Sequence, residues 1–103
     1  MRVYWTPEAI ARLHDIESHI AEESPLAAKR VAARLVNRTR QLATVAHSGR
    51  RLPEYPDTPL RELLERPYRI IYRVIDEEVQ IVTMMHYRQR LPKHPHQLTR
   101  GRL

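Results

Sequence analysis

The sequence predicts an α+β fold of order β-α-α-β-β-β, in which an αα-hairpin packs on one face of a small, mainly antiparallel sheet. Two observations predict the helices. Thr6-Pro7 and Ser24-Pro25 are helix-start signals, and apolar residues recur after each of them at spacings of three and four. A third observation predicts the sheet: positions 60–87 hold short runs rich in β-branched and aromatic residues, separated by turn-forming residues.

The first strand and the first helix are predicted from residues 2–23. Residues 2–5 (RVYW) alternate in character, which is typical of a short strand. Thr6 is expected to cap the helix, and Pro7 is expected to occupy its first position. The acidic residues of this helix are expected to face outward, and its apolar stripe is predicted to be Ile10, Leu13, Ile16 and Ile20.

The second helix is predicted to pack against the first as an antiparallel hairpin, because almost no loop separates them. Ser24 and Pro25 repeat the start signal. The predicted inward face consists of Ala28, Val31, Leu35, Leu42 and Val45. Three arginines recur at intervals of four along another face: Arg30, Arg34 and Arg38.

The remainder of the chain predicts a meander of antiparallel strands followed by a tail. After a loop rich in Gly, Pro and polar residues, the runs LRELLE, YRIIYRVI and VQIVTMMHY are separated by short turn-like segments. Residues 1–90 are therefore predicted to form one domain. Residues 91–103 are basic, polar and rich in proline, so we expect a mobile tail that adds nothing to the core.

Composition excludes several classes of site. The chain has no cysteine, which rules out disulfides, thiolate metal sites and thiol nucleophiles. His94 and His96 lack a third ligand nearby, and Gly49 and Gly101 are too few for a phosphate-binding loop, so no metal and no cofactor are expected. No run approaches the ~20 apolar residues of a membrane span, so the expected location is the cytoplasm, without a membrane partner.

Positive charge is concentrated in two blocks. The chain has 18 Lys and Arg against 12 Asp and Glu, a formal net charge of +6. Residues 25–53 contain basic residues and no acidic one, and the same holds from residue 88 to the end, whereas the first helix is acidic. Such blocks attract an anionic partner, either nucleic acid or an acidic protein segment.

The pairing of the last two strands predicts which side chains share a face. If Glu77-Glu78 is a two-residue turn, Arg69 lies opposite His86. Arg69, Arg73 and His86 would then share the face of the sheet that the helices leave uncovered.

A purely structural alternative stays open for the two arginines. Continuing the meander through the preceding turn places Glu62 opposite Ile71. Glu62 would then lie diagonal to both Arg69 and Arg73 and could pair with them across the strands, as ordinary surface ion pairs do.

Four motifs resemble the ParE/RelE superfamily of toxins from type II toxin–antitoxin systems, and their succession is most similar to ParE. They are GRRLPE, LRELL, YRIIYRV and MMHYRQR, and the segment TPEAIARLHDIESHI resembles the first helix of that family. The resemblance implies the fold predicted above and growth arrest by the free toxin. It also implies a ParD-like antitoxin, with an acidic C-terminal segment, that forms a hetero-oligomer with the toxin.

ParE-type toxins are described as poisons of DNA gyrase, which implies a binding protein rather than an enzyme. We expect the target to contact the open sheet face and the tail through Arg69, Arg73, His86, Arg88 and Arg90. The antitoxin is expected to contact the arginines of the second helix, Arg30, Arg34 and Arg38.

The RelE branch implies the alternative of a metal-independent endoribonuclease that cuts mRNA on the ribosome. Attack by a 2′-OH requires a base, a cation for the phosphorane and an acid for the leaving oxygen. Glu54, Arg69 and His86 are similar in position to the glutamate, arginine and histidine of YoeB-like members. The lysine-rich loop of RelE-like enzymes is absent, because Lys29 and Lys93 are the only lysines. The sequence favours the gyrase poison.

Overall fold

The computed structural model describes residues 1–99 and has the predicted α+β architecture, with two helices packed on a five-stranded sheet. The strands lie in the order β1-β5-β4-β3-β2, with β1 parallel to β5 and the other pairs antiparallel. The elements are β1 (Arg2–Trp5), α1 (Pro7–Ala21), α2 (Pro25–Gln41), β2 (Arg50–Arg51), β3 (Arg61–Glu65), β4 (Tyr68–Ile75), β5 (Glu78–His86) and a 3₁₀ turn (Pro95–Leu98). The two-residue strand β2 was not predicted.

Both helices begin where the capping signals predict. The hydroxyl of Thr6 accepts a hydrogen bond from the Ala9 amide, and that of Ser24 accepts one from the Ala27 amide, each at 3.1 Å. These bonds satisfy amides that have no partner inside the helix. A proline follows each cap, as expected.

Three details of the predicted helix faces are wrong. Ile10 is 57% exposed, and its neighbour Ala9 is buried in its place. Val45 is also exposed, because α2 ends at Gln41 and the chain then turns. Glu8 does not face outward: it is buried and accepts a hydrogen bond from Arg12 at 3.1 Å.

Two apolar clusters lie on opposite faces of the sheet. The cluster under the helices is built around buried Leu35, Ile70, Tyr72 and Ile81. The second cluster lies on the other face and consists of Leu52, Tyr55, Leu60, Ile71, Val82 and Leu98. The prediction of an uncovered face is therefore wrong, because the loop before β3 and the segment after β5 both pack on it.

The predicted register of the β4–β5 hairpin is also wrong. The turn residues are Asp76 and Glu77, with φ of 51° and 60°, the positive values that a type I′ turn requires. Arg73 therefore pairs with Gln80, and an irregularity between Ile71 and Tyr72 shifts the register once more. Three consecutive acidic residues at this turn left more than one choice of turn pair, which is why the sequence did not settle the register.

The irregularity between Ile71 and Tyr72, more than the change of turn, separates two residues that were predicted to be neighbours. Arg69 pairs with Met85, whereas His86 pairs with Tyr68. Because successive side chains of a strand point to opposite faces, Arg69 and His86 project to opposite sides of the sheet.

The segment after residue 90 contributes to the core, contrary to the prediction. Leu98 is only 6% exposed and belongs to the second cluster. The hydroxyl of Tyr55 donates a hydrogen bond to the carbonyl of Pro92, which ties this segment to the loop before β3. Arg100 and Arg102 of the predicted basic tail lie outside the described residues, and the predicted boundary at residue 90 stays a prediction.

No helix within residues 1–99 combines the length and the apolar character needed to cross a membrane.

Candidate functional site

Arg69 lies at the centre of a charged network on the second face of the sheet. Its Nε donates to Glu62 Oε1 at 2.6 Å, and its two terminal nitrogens donate to the two oxygens of Glu54 at 3.1 and 3.3 Å. Glu62 also accepts a hydrogen bond from Arg50 Nε at 2.5 Å. Two carboxylates therefore occupy all three nitrogens of the Arg69 guanidinium.

Strand pairing brings these groups together. Glu62 lies opposite Ile71, as predicted, so Glu62 and Arg69 are diagonal neighbours on one face of β3 and β4. Arg50 reaches Glu62 because the two residues pair across β2 and β3. The loop after β2 then places Glu54 at the outer side of Arg69. The structural alternative is thus confirmed for Arg69.

Burial makes this network different from a surface ion pair. Arg69 is 7% exposed and Glu62 is 2% exposed, whereas the Arg50 and Glu54 side chains reach solvent. A buried carboxylate is retained only with partners, and Glu62 has one arginine on each oxygen. The network therefore joins the loop, β3 and β4 through a desolvated charge.

The network shifts the pKa values of its members. Partial burial acts to raise the pKa of Glu54, but hydrogen bonds from Arg69 and from its own backbone, with the nearby charges of Arg69 and Arg50, hold that pKa below its usual value. Burial acts to lower the pKa of Arg69, and the bonds to Glu54 and Glu62 outweigh it, so that pKa is raised. Glu54 is thus a weaker base than an ordinary glutamate.

His86 belongs to a different cluster, at the end of β5. Its ring meets Tyr68 edge-on at 5.8 Å between ring centroids and stacks on Tyr87 at 5.0 Å. Arg88 lies 5.6 Å from the centroid of the Tyr87 ring, and its Nε donates to the Tyr87 hydroxyl at 3.2 Å.

The structure thus brings together two of the three residues predicted for the nuclease alternative. Glu54 and Arg69 are hydrogen-bonded to each other, and His86 projects from the opposite face. In this arrangement the carboxylates already neutralise the cation that would stabilise a phosphorane, and the histidine does not face it.

The remaining residues predicted to bind the target are dispersed. Arg73 lies on the same face as Arg69, with its Nε bonded to Gln80 Oε1 at 2.6 Å and not to Glu62. Arg88 and Arg90 are exposed after β5. Arg90 borders a surface pocket of about 400 Å³ that Glu54 and Arg69 also line.

The arginines predicted to bind the antitoxin lie along α2. Arg34 and Arg38 both pair with Glu65 at the end of β3, at 3.2 and 3.1 Å. Arg30 is exposed, and within residues 1–99 it has no ion pair. Glu65 therefore takes up part of the positive charge of α2.

Sequence reasoning missed two residues of this region, Arg50 and Gln80. Arg50 lies in a strand of only two residues, too short for an alternation pattern to reveal. Gln80 could have been found from the hairpin register, since a turn at Asp76-Glu77 places it directly opposite Arg73.

Comparisons with known proteins agree with this architecture. Residues 3–91 match the family model for the ParE toxin of the type II toxin–antitoxin system parDE. A solved structure of the chromosomal ParDE toxin–antitoxin system from P. aeruginosa superposes with a TM-score of 0.69 and 29% sequence identity, and the match covers 84% of this chain and 95% of that chain. No protein of curated function matched. The family match spans most of the chain, so this protein belongs to the ParE toxin family of type II toxin–antitoxin systems.

Proposed function

We propose that the protein arrests growth by inhibiting DNA gyrase and that a ParD-like antitoxin neutralises it. Family membership supports a toxin whose partner is an antitoxin, and the similar P. aeruginosa structure is that of a ParDE pair. The choice of target rests on one observation, the bonding of the Arg69 guanidinium. This guanidinium is bonded to Glu54 and Glu62 through all three nitrogens, so two carboxylates already neutralise the positive charge that would stabilise a phosphorane.

The exposed segment after β5 is the part of the predicted target-binding surface that best fits a macromolecular contact. Arg88 and Arg90 are exposed, and Tyr87 beside them is 45% exposed. Arginine and tyrosine side chains are enriched at the energetic centres of protein interfaces. Arg69 would support this surface by holding the loop that carries Glu54 and would not contact the target itself.

The test compares the two activities of the purified toxin directly. We expect inhibition of gyrase-catalysed supercoiling of plasmid DNA, and no cleavage of message on programmed ribosomes. The Arg88→Gln, Arg90→Gln double variant is expected to raise the half-inhibitory concentration at least about 10-fold, since central interface arginines cost about 2 kcal/mol or more when removed. Message cleavage with unaffected gyrase would overturn the proposal.

A matched control distinguishes the loss of a direct contact with gyrase from the loss of net positive charge. Lys29→Gln with Arg40→Gln removes the same two charges from α2, where both residues are exposed. We expect this control to change gyrase inhibition less than about 2-fold. Equal effects of the two double variants would mean that net charge alone accounts for inhibition.

The antitoxin is proposed to approach under electrostatic attraction, because residues 25–53 contain no acid and include Arg30, Arg34 and Arg38. Raising salt should then slow association more than it speeds dissociation. Surface plasmon resonance at several salt concentrations measures both rates. Equal sensitivity of the two rates would argue against attraction by α2.

A further inference from the structure

Arg73 differs from the other arginine on the same face of β4. The Arg69 guanidinium is neutralised by two carboxylates, whereas Arg73 is bonded through Nε to the neutral amide of Gln80. Within residues 1–99, no carboxylate lies within ion-pair distance of Arg73. The bond at Nε orients the guanidinium and leaves its terminal nitrogens without a carboxylate.

This arginine lines a cavity of about 500 Å³ on the second face of the sheet. Tyr4, Gln80 and Arg73 form a row across β1, β5 and β4, because Gln80 pairs with both of the others. The apolar wall comes from Leu60, Val82 and Leu98, and His96 lies at the same cavity. None of the described residues that line it is acidic.

A second apolar surface continues from this cavity. Pro7 lines both the Arg73 pocket and a cavity on α1, whose other lining residues are Ile10, Ala11, His14 and Asp15. Ile10 is 57% exposed and Tyr4 is 43% exposed, although both are large apolar side chains. Contiguous exposed apolar surface next to a charged group is typical of a binding site for another chain.

We infer that the Arg73 pocket is the anchoring site for the acidic segment of the antitoxin, and that it takes a carboxylate side chain adjacent to a bulky apolar one. The inference depends on the proposed antitoxin partner and adds the place on the toxin where that partner binds. Charge complementarity carries it: the pocket contains an oriented arginine without a carboxylate, and arginine binds carboxylates in bidentate geometry. The apolar wall accepts the neighbouring side chain, and the surface at Ile10 accepts the continuation of the segment.

This site has a different role from the arginines of α2. Arg34 and Arg38 already share Glu65, so a new carboxylate would compete with an existing pair. They still contribute to long-range attraction, which acts on association. A desolvated pair at Arg73 would instead control how long the complex lasts.

The experiment measures dissociation of the proposed ParD-like antitoxin from the toxin. Arg73→Gln is expected to speed dissociation at least about 10-fold, because removing one partner of a buried charge pair acts mainly on that rate. Arg73→Lys keeps the charge and should recover part of the loss. Arg40→Gln removes an equal charge from α2, outside the pocket, and should change dissociation less than about 2-fold.

A measurement on the unmodified protein covers the case in which Arg73→Gln does not fold. Adding the antitoxin should shift the methyl resonances of Leu60, Val82 and Leu98 in NMR spectra. A complex that forms without those shifts, or that dissociates from folded Arg73→Gln at the original rate, would overturn the site and leave the antitoxin partnership standing. Methyl shifts that appear on concentrating the toxin alone would assign the pocket to a second copy and also overturn it. An antitoxin that does not bind the unmodified toxin would overturn both the site and the partnership.

Discussion

Replacing Arg69 by Met tests whether the buried charge network holds the loop to the sheet. The substitution removes the guanidinium from between Glu62 and Glu54 and retains an unbranched apolar side chain. Among residues 1–99, Glu62 then keeps a single side-chain partner, Arg50. Its carboxylate stays desolvated, because the Glu62 side chain has no exposed surface.

The expected loss of unfolding free energy is about 3 kcal/mol. Breaking a buried ion pair by removing one partner costs about 3–5 kcal/mol, since an uncompensated charge is left behind. Two features of the structure place this case at the lower end. Arg50 still bonds Glu62 at 2.5 Å, and Glu54, whose side chain is 43% exposed, regains water.

Urea unfolding at neutral pH, followed by circular dichroism, measures the loss. Arg73→Met is the matched control, because it removes an arginine from the same face of the same strand. Within residues 1–99 the Arg73 side chain is bonded only to the neutral amide of Gln80, so we expect a loss of about 1 kcal/mol.

A double variant tests the physical reason. Adding Glu62→Leu to Arg69→Met removes the buried carboxylate, so the double variant should be more stable than Arg69→Met alone by at least about 1 kcal/mol. The reasoning is refuted if the double variant is no more stable than the single one. It is refuted equally if Arg69→Met and Arg73→Met cost the same.

Three further predictions concern the loop, the close approach at Gly49 and the C-terminal segment. The pKa of Glu54 is lower in the folded chain than in the unfolded chain, so the ionised carboxylate stabilises the fold through its bonds to Arg69. This stabilisation is present above the unfolded pKa of about 4.3 and is lost as the pH falls through the pKa of the folded chain. The difference in unfolding free energy between the parent and Glu54→Gln should therefore shrink on acidification from neutral pH to about pH 3, and a constant difference would contradict this origin. Gly49→Ala should cost about 1–3 kcal/mol in urea unfolding, because its Cβ would lie 2.6 Å from both the Glu62 carbonyl oxygen and the Tyr72 hydroxyl. Exposed His47→Ala should cost less than about 0.5 kcal/mol, and equal losses would contradict the close approach. Leu98→Ala should lower the thermal midpoint by an amount equivalent to about 2–3 kcal/mol, because Leu98 is buried. Exposed Leu26→Ala should cost less than about 0.5 kcal/mol. An unchanged midpoint for Leu98→Ala would mean that the C-terminal segment is not part of the core.

Most of the secondary structure could be predicted from the sequence because its signals are local. Thr6 and Ser24 lie within three residues of the amides they cap, so the signal and its effect share one short segment. The pairing of Glu62 with Ile71 was also predictable, because the turn between β3 and β4 is short and contains a proline. These features depend on neighbouring residues and need no information about packing.

The faces of α1 and of the β4–β5 hairpin were less predictable. Ala9 lies in the cluster under the helices and Ile10 does not, although the apolar pattern alone favours the larger residue. At the hairpin, moving the turn changes the residue opposite Arg73 by two positions and keeps the faces, whereas the one-residue irregularity between Ile71 and Tyr72 exchanges them. That irregularity separated His86 from Arg69 and with it the residues of the nuclease alternative.

The sequence by itself determined the element order, the start of each helix, the basic blocks and the resemblance to ParE. Each of these depends only on residue types and on short spacings along the chain. Only the tertiary structure decided which charges are neutralised. Arg69 and Arg73 are both arginines and lie four positions apart on one strand, yet Glu54 and Glu62 surround the first and the neutral amide of Gln80 holds the second. The physical reason is that a charge is defined by its neighbours in space, and here a loop, a two-residue strand and a hairpin register supply them.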